Sequence, residues 1–123
     1  MAMADEPDFD WSQAASLLGD EPENVPEDMA AIVQELIETT RMRLQELKDK
    51  NLESDDKAIR SLAHQLRGSL LNFGFTGVGA TLWKVEKTEY TPEEYQQMLA
   101  EIDTLFADST KMLAQHYPSL QLP

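Results

Sequence analysis

The chain reads AHQLRGSLLNFG over residues 63–74. In and around this stretch, apolar side chains recur at three- and four-residue intervals, which is the spacing of the buried face of an amphipathic helix. The members of this apolar stripe are Ile59, Leu62, Ala63, Leu66, Leu70 and Phe73. The pattern predicts a helix with one face in a core, and the remaining side chains of the stretch face away from it.

His64 lies just beside the apolar stripe, and its neighbours at helical spacing are Arg60, Arg67 and Gly68. Two arginines favour the neutral, nucleophilic form of a nearby imidazole, and they can also bind an anion that the imidazole carries. A glycine inside a helix is about 1 kcal/mol less favourable than alanine, and close approach of another molecule would explain its presence. Together these features suggest a histidine that carries a negatively charged group and presents it to a partner.

The string HQLRGS, residues 64–69, resembles the signature of histidine-containing phosphotransfer (HPt) domains. In that signature the histidine is followed by any residue, leucine, lysine, glycine and small residues. The resemblance continues through NFG at residues 72–74, Val78, and VE at residues 85–86, and upstream it includes FDW at residues 9–11 and LLGD at residues 17–20. It covers nearly the whole chain, from Phe9 to the last long helix.

The resemblance implies a histidine phosphocarrier of a multistep two-component phosphorelay. His64 would accept a phosphoryl group from the aspartyl phosphate of one receiver domain, on a response regulator or a hybrid histidine kinase, and pass it to another. Arg67, with Arg60 in support, would stabilise charge on the phosphoryl oxygens, since such transfer depends mainly on positioning and electrostatics. Gly68 would leave room for the partner. We expect no cofactor and no metal site in this chain, with Mg²⁺ only on the receiver domain, and no enzyme activity of its own.

The chain departs from the family signature at two places. Arg67 replaces the commoner lysine, and its planar, bidentate guanidinium predicts a change in which receivers bind well. Leu70 and Leu71 stand where small residues are usual. Leu70 fits the apolar stripe, whereas Leu71 lies on the face of His64 and is a candidate for an apolar docking patch. Ser69 is a candidate orienting or docking residue, with hydrogen bonding to its own helix as an equal alternative.

The composition limits the function further. The 123 residues, without cysteine, suit one domain and exclude disulfides and thiolate chemistry. The formal net charge is −13, and residues 1–28 hold nine acids and no lysine or arginine, whereas residues 41–87 hold nine bases and six acids. This balance excludes a basic nucleic-acid footprint. The chain has no apolar run of membrane-spanning length and no signal peptide, so we expect a cytoplasmic protein without a membrane partner.

Capping residues and breakers divide the chain into five predicted helices. We expect a short helix over residues 9–18, a second from near Pro26 to about Lys50, a third from a cap at Ser54 to residues 73–74, a fourth over residues 76–88, and a fifth that opens at TPEE, residues 91–94. Short loops between long helices predict an all-α, antiparallel four-helix bundle with a short additional N-terminal helix. Residues 1–8 are predicted to be a disordered acidic segment, and residues 9–123 a single domain.

The second helix carries its own apolar stripe, which we assign to the core: Met29, Ile32, Val33, Leu36, Ile37, Thr40, Leu44 and Leu47. One alternative function stays open, a non-catalytic helical adaptor that binds a protein through the face around His64. A metal site at His64 is disfavoured because no pair of carboxylates lies at ligand spacing around it. His116, near the end of the fifth helix, is given no chemical role.

Overall fold

The computed structural model describes residues 8–122, and its regular elements are all helical. They are α1 (Trp11–Leu18), α2 (Glu27–Asp49), α3 (Leu52–Asn72), α4 (Thr76–Lys87), α5 (Pro92–His116) and a short 3₁₀ helix, Pro118–Leu120. The predicted all-α class is confirmed. The predicted disordered segment, residues 1–8, lies outside the described residues except for Asp8. None of the described helices is long and apolar enough to cross a membrane.

The four long helices close into a ring in which each contacts two neighbours. Helix α3 contacts α2 and α4, and α5 contacts α4 and α2. Helices α2 and α5 run antiparallel, since the start of α5 meets the end of α2 through a hydrogen bond of 2.8 Å from Tyr95 Oη to the Leu47 carbonyl. Helices α3 and α4 run antiparallel because a short turn, residues 73–75, joins them and they pack against each other. Helix α1 lies against α2. The predicted four-helix bundle with a short additional N-terminal helix is therefore confirmed.

Side chains close in sequence cap several helix ends, and the cap predicted at the start of α5 is among them. The Asp10 carboxylate accepts a hydrogen bond from Gln13 N at the start of α1, and Gly19 ends this helix with φ of 86°. At the start of α5, Thr91 and Glu94 form a reciprocal capping box, with Pro92 in the first helical position. These short-range hydrogen bonds depend on neighbouring residues alone, which explains why the sequence predicts them.

The predicted start of α3 is wrong by a few residues. Ser54 is not the cap: Asn51 caps the helix, and its side-chain oxygen accepts a hydrogen bond of 2.9 Å from Glu53 N. The Asp55 carboxylate in turn accepts one of 2.9 Å from Asn51 N. This reciprocal pair holds an additional first turn, which then bends at Asp55, where φ is −114° and ψ is 16°. The regular part of α3 follows this bend and carries the apolar stripe.

The core contains most of the predicted apolar positions, although Phe73, at the end of the α3 stripe, is only partly buried. The stripe of α3 is buried from Ile59 to Leu70. Ile32 was predicted to be in the core, but its side chain is 47% exposed, because α2 turns this edge of its stripe toward a groove beside α3. Phe75, in the turn after α3, is fully buried and packs against Phe9 at a ring separation of 5.3 Å. The sequence pattern did not predict that burial, since Phe75 lies outside any helical period.

The N-terminal segment fixes the turn between α3 and α4. Asp10 N donates to the Gly74 carbonyl at 2.8 Å, and Gly77 N donates to the Asp8 carbonyl at 2.9 Å. Gly74 has φ of +94°, and a Cβ there would lie 2.5 Å from the Asp10 carbonyl oxygen. Glycine is therefore required at this position for both backbone conformation and space. The crossing segment holds α3 and α4 as an antiparallel hairpin, and this arrangement places His64 opposite the end of α4.

Candidate functional site

His64 lies in the middle of α3 with its side chain 63% exposed. Its Nδ1 atom is 2.9 Å from Glu86 Oε2 in the last turn of α4. Within residues 8–122, the other ring nitrogen, Nε2, has no hydrogen-bond partner. An ionised carboxylate can only accept, so the neutral imidazole carries its proton on Nδ1 and keeps the Nε2 lone pair free. The geometry therefore provides an oriented histidine with an available nucleophilic nitrogen.

Glu86 is the centre of the polar contacts around His64, and its side chain is only 10% exposed. Besides His64, it contacts Lys87 Nζ at 3.3 Å through Oε2 and an Arg67 NH2 nitrogen at 3.0 Å through Oε1. Burial acts to raise the pKa of Glu86, but hydrogen bonds from His64 and Lys87 and the positive charge of Arg67 outweigh it and hold this pKa below its usual value. The group is consequently a carboxylate at neutral pH.

The Arg67 side chain lies beside His64. One turn after His64 on α3, its guanidinium lies 3.5 Å from the imidazole Nδ1 while it pairs with Glu86. Its side chain is 19% exposed, so the carboxylate holds the arginine close to the helix. A positive charge therefore lies beside the imidazole ring on its Nδ1 side.

Arg60 lies one turn before His64 on α3, but its guanidinium contacts other groups than the imidazole. Its Nε pairs with Asp56 at 3.1 Å, and its NH1 donates to the carbonyls of Glu86 and Thr88, each at 2.9 Å. The guanidinium also lies 5.0 Å from the centre of the Tyr90 ring. Arg60 thus satisfies carbonyl groups at the C-terminal end of α4. No hydrogen bond joins Arg60 to His64 in the described part of the chain, and its support of a phosphoryl group stays a prediction.

The remaining predicted site residues follow His64 along α3. Gly68 is exposed, and a Cβ there would meet no atom within 4 Å. Ser69 lines a shallow groove of about 300 Å³ between α2 and α3, together with Ile32 and Phe73. Leu71 is 38% exposed, and its side chain packs on Gly79 of α4. We call the surface formed by these five residues, with the groove on one side of α3 and Leu71 on the other, the acceptor face.

Two residues of the site were missed by sequence reasoning, Glu86 and Lys87. Glu86 formed part of the family resemblance but received no role. A signal was present: α3 and α4 form an antiparallel hairpin, so residues equally far from its turn face each other, and 64 and 86 lie equally far from residue 75. Using that signal requires knowing that the two helices pair in this register, which the tertiary structure decides.

No group of three or more His, Cys, Asp or Glu side chains among residues 8–122 is arranged to hold a metal ion. The carboxylate nearest His64 belongs to Glu86, and its oxygens lie within 3.3 Å of nitrogen atoms of His64, Arg67 and Lys87. A ligand set of oxygen atoms of the kind that Mg²⁺ prefers is therefore not assembled around His64.

Comparison with known proteins identifies one family. The family model described as the Hpt domain matches residues 31–109, which is more than half of the chain and includes α3, α4 and the site. Searches of curated proteins and of solved structures give no match. Hpt domains are helical bundles that act as phosphocarriers, take part in histidine phosphotransfer in phosphorelays and interact with receiver domains. On this evidence the chain belongs to the Hpt domain family.

Proposed function

We propose that this chain carries a phosphoryl group on Nε2 of His64 between two receiver domains of a multistep phosphorelay. The observation that supports this most directly is the histidine geometry. His64 is largely exposed, Glu86 holds its Nδ1 at 2.9 Å, and Nε2 is without a partner in the described chain. A histidine that served the core would instead be buried with its ring nitrogens hydrogen-bonded.

In the proposed reaction, the Nε2 lone pair attacks the phosphorus atom of an aspartyl phosphate on the receiver. The N–P bond forms as the P–O bond to the aspartate breaks, and the aspartate leaves as a carboxylate. The imidazole keeps its Nδ1 proton and gains positive charge, which the Glu86 carboxylate stabilises across the existing hydrogen bond. In the reverse direction the imidazole leaves as a neutral group, so the same contact serves both directions of transfer.

Arg67 is proposed to stabilise the phosphoryl oxygens in the transition state. Its guanidinium lies beside the imidazole and is held there by Glu86, so little reorganisation is needed when the phosphoryl group arrives. We propose that the metal ion for this reaction belongs to the receiver domain, and that the chain has no phosphorylating activity of its own. The ion-pair contacts of the Glu86 carboxylate with His64, Arg67 and Lys87 support placing the metal ion on the receiver.

The receiver is proposed to dock on the acceptor face. The groove between α2 and α3 offers apolar contact through Ile32 and Phe73, and Leu71 offers it on the other side of α3. Gly68 lies between these contacts, one turn from His64, and has open space above it. An apolar centre beside a polar rim is typical of protein interfaces, and the missing side chain lets a partner backbone approach the histidine.

The test is transfer of a labelled phosphoryl group from a panel of phosphorylated receiver domains to the protein and to a His64→Gln variant. We expect label on the native protein that is stable to base and labile to acid, and none on the variant, while circular dichroism shows both to be equally helical. His116→Gln is a matched control, because it removes the other histidine of the chain. Label that persists in His64→Gln would mean a different acceptor residue. No label from any receiver on the folded protein would favour a non-catalytic adaptor that uses the same exposed groove.

A further inference from the structure

We propose that Lys87 is a second cation that binds the phosphoryl group on His64, turning to it from Glu86. The inference rests on the proposed function of His64 and extends it. No sequence motif pointed to Lys87, which follows Glu86 in the last turn of α4. The assignment comes from the way α4 brings it beside the imidazole.

The first observation is a shared carboxylate oxygen. Glu86 Oε2 contacts His64 Nδ1 at 2.9 Å and Lys87 Nζ at 3.3 Å. The ammonium group and the imidazole ring are thus separated by a single oxygen atom. A lysine side chain has four rotatable carbon–carbon bonds, so a rotation of its end moves Nζ by several ångströms without a change in the helix.

The second observation is the contrast in freedom between the two cations. Arg67 is 19% exposed and pairs with Oε1 of Glu86, whereas Lys87 is 53% exposed and makes the longer contact to Oε2. A phosphoryl group brings about −1.5 to −2 charges and three strong acceptor oxygens. We expect the half-exposed ammonium to turn to that stronger acceptor, while Glu86 keeps Arg67 and the Nδ1 proton in place.

The third observation is the charge balance of the cluster. With neutral His64, the two cations Arg67 and Lys87 face the single carboxylate of Glu86, which leaves one positive charge in a chain of net charge −13. An incoming phosphoryl dianion compensates that excess. Without the Lys87 charge, Arg67 would be the one cation of this cluster that offsets the charges of Glu86 and the phosphoryl group. The repulsion between these two anions would therefore increase.

The helix dipole offers a purely structural reason for a lysine at position 87. Cations in the last turn of a helix are favoured by the helix dipole, and α4 carries two there, Lys84 and Lys87. Only Lys87 of these two pairs with Glu86. The dipole explanation applies equally to both lysines, whereas the phosphoryl explanation applies to Lys87 alone. Lys84 is therefore a matched control on the same turn of the same helix.

The experiment compares the native protein with Lys87→Gln, Lys87→Arg and Lys84→Gln. Single-turnover transfer from one phosphorylated receiver gives the rate, and ³¹P NMR of the phosphorylated protein gives the pH at which the phosphohistidine signal titrates. We expect Lys87→Gln to slow transfer roughly tenfold, less than the ~100-fold loss typical of a buried oxyanion donor, since Lys87 is half exposed. We also expect the titration of the phosphoryl group to move to higher pH, because a nearby cation no longer favours the dianion.

Lys84→Gln should leave both the rate and the titration unchanged, and Lys87→Arg should restore most of both. A purely structural role for Lys87 would not move the phosphoryl titration. Equal rates and equal titrations for Lys87→Gln and Lys84→Gln, on a protein that labels at His64, would overturn the role of Lys87 and leave the proposed function standing. Absence of label on the native protein would instead overturn the proposed function itself.

Discussion

At Gly68, the requirements of folding differ from those of the proposed function. The position is exposed in α3, and an added Cβ would meet no atom within 4 Å. Internal packing therefore does not require glycine there, although alanine is favoured in a helix by about 1 kcal/mol. Gly79 in α4 is the opposite case, since a Cβ there would lie 2.6 Å from Leu71 Cδ2. Packing of the described residues thus gives no reason for glycine at position 68, which agrees with the proposed approach of a partner to His64.

We predict that Gly68→Ala stabilises the protein by roughly 0.5–1 kcal/mol and slows transfer from a receiver. Gly68→Gln should slow transfer further, because a longer side chain occupies more of the docking space. Denaturant unfolding and single-turnover transfer measure the two effects. Gly79→Ala is the control and should lower stability by forcing Leu71 to move. Transfer at the native rate in both Gly68 variants would contradict a close approach of the partner at this glycine.

At the scale of the element, the end of α4 determines the site. Glu86 and Lys87 both lie in its last turn, and that turn is held by Arg60 from α3 through the carbonyls of Val85, Glu86 and Thr88. The Tyr90 hydroxyl also donates to the Val85 carbonyl, at 2.7 Å. Arg60 thus helps to position the end of α4, which carries Glu86, without a hydrogen bond to His64.

We predict that Arg60→Met lowers the free energy of unfolding by about 1–3 kcal/mol, because it removes charge-assisted hydrogen bonds to helix carbonyls. Hydrogen exchange should show faster opening of the last turn of α4 in this variant. Arg60→Lys is the informative control. It keeps the charge but has no planar fork for several carbonyls, so its stability should also fall. If Arg60→Lys instead kept native stability and Arg60→Met alone lost transfer, a direct electrostatic role of residue 60 would replace the capping role.

For the whole molecule, buried tyrosines connect distant parts of the chain. Tyr95 donates to the Leu47 carbonyl at 2.8 Å, and Tyr117 donates to the Gly19 carbonyl at 3.1 Å, so both ends of α5 are tied to other segments. Burial, and then the nearby Tyr90 phenol, raise the pKa of Tyr95 to about 12. Burial, and then the charge of Asp20, also raise the pKa of Tyr117 above its usual value. Both phenols must stay protonated to donate these hydrogen bonds.

We predict alkaline unfolding from these shifts. A pKa raised in the folded state gives stability that is fully present below the unfolded tyrosine pKa near 10 and is lost as pH rises toward about 12 for Tyr95. Tyrosinate absorbance should therefore rise together with the loss of helix. Tyr95→Phe should lower stability by about 1 kcal/mol at neutral pH and should make the alkaline loss shallower. A tyrosine titration completed while the helices persist would contradict this coupling.

The sequence by itself determined the helices and the identity of the central histidine. Apolar spacing predicts the buried stripe of α3, and capping residues predict the ends of α1 and α5, because these interactions join residues within a few positions of one another. The exposure of His64 and its proximity to Arg67 follow from the same local geometry. The start of α3 was misplaced, since Asn51 and Ser54 offer competing caps within three positions of each other.

Only the tertiary structure decided which groups surround that histidine. The register of α3 against α4 brings Glu86 and Lys87 to the imidazole, and the same register directs Arg60 to the carbonyls of α4 although it lies one helical turn from His64. The rotation of α2 against α3 likewise leaves Ile32 exposed beside the groove. Helical periodicity fixes the face on which a side chain lies, but its contacts depend on how two helices pair, and that pairing is set by packing across the whole core.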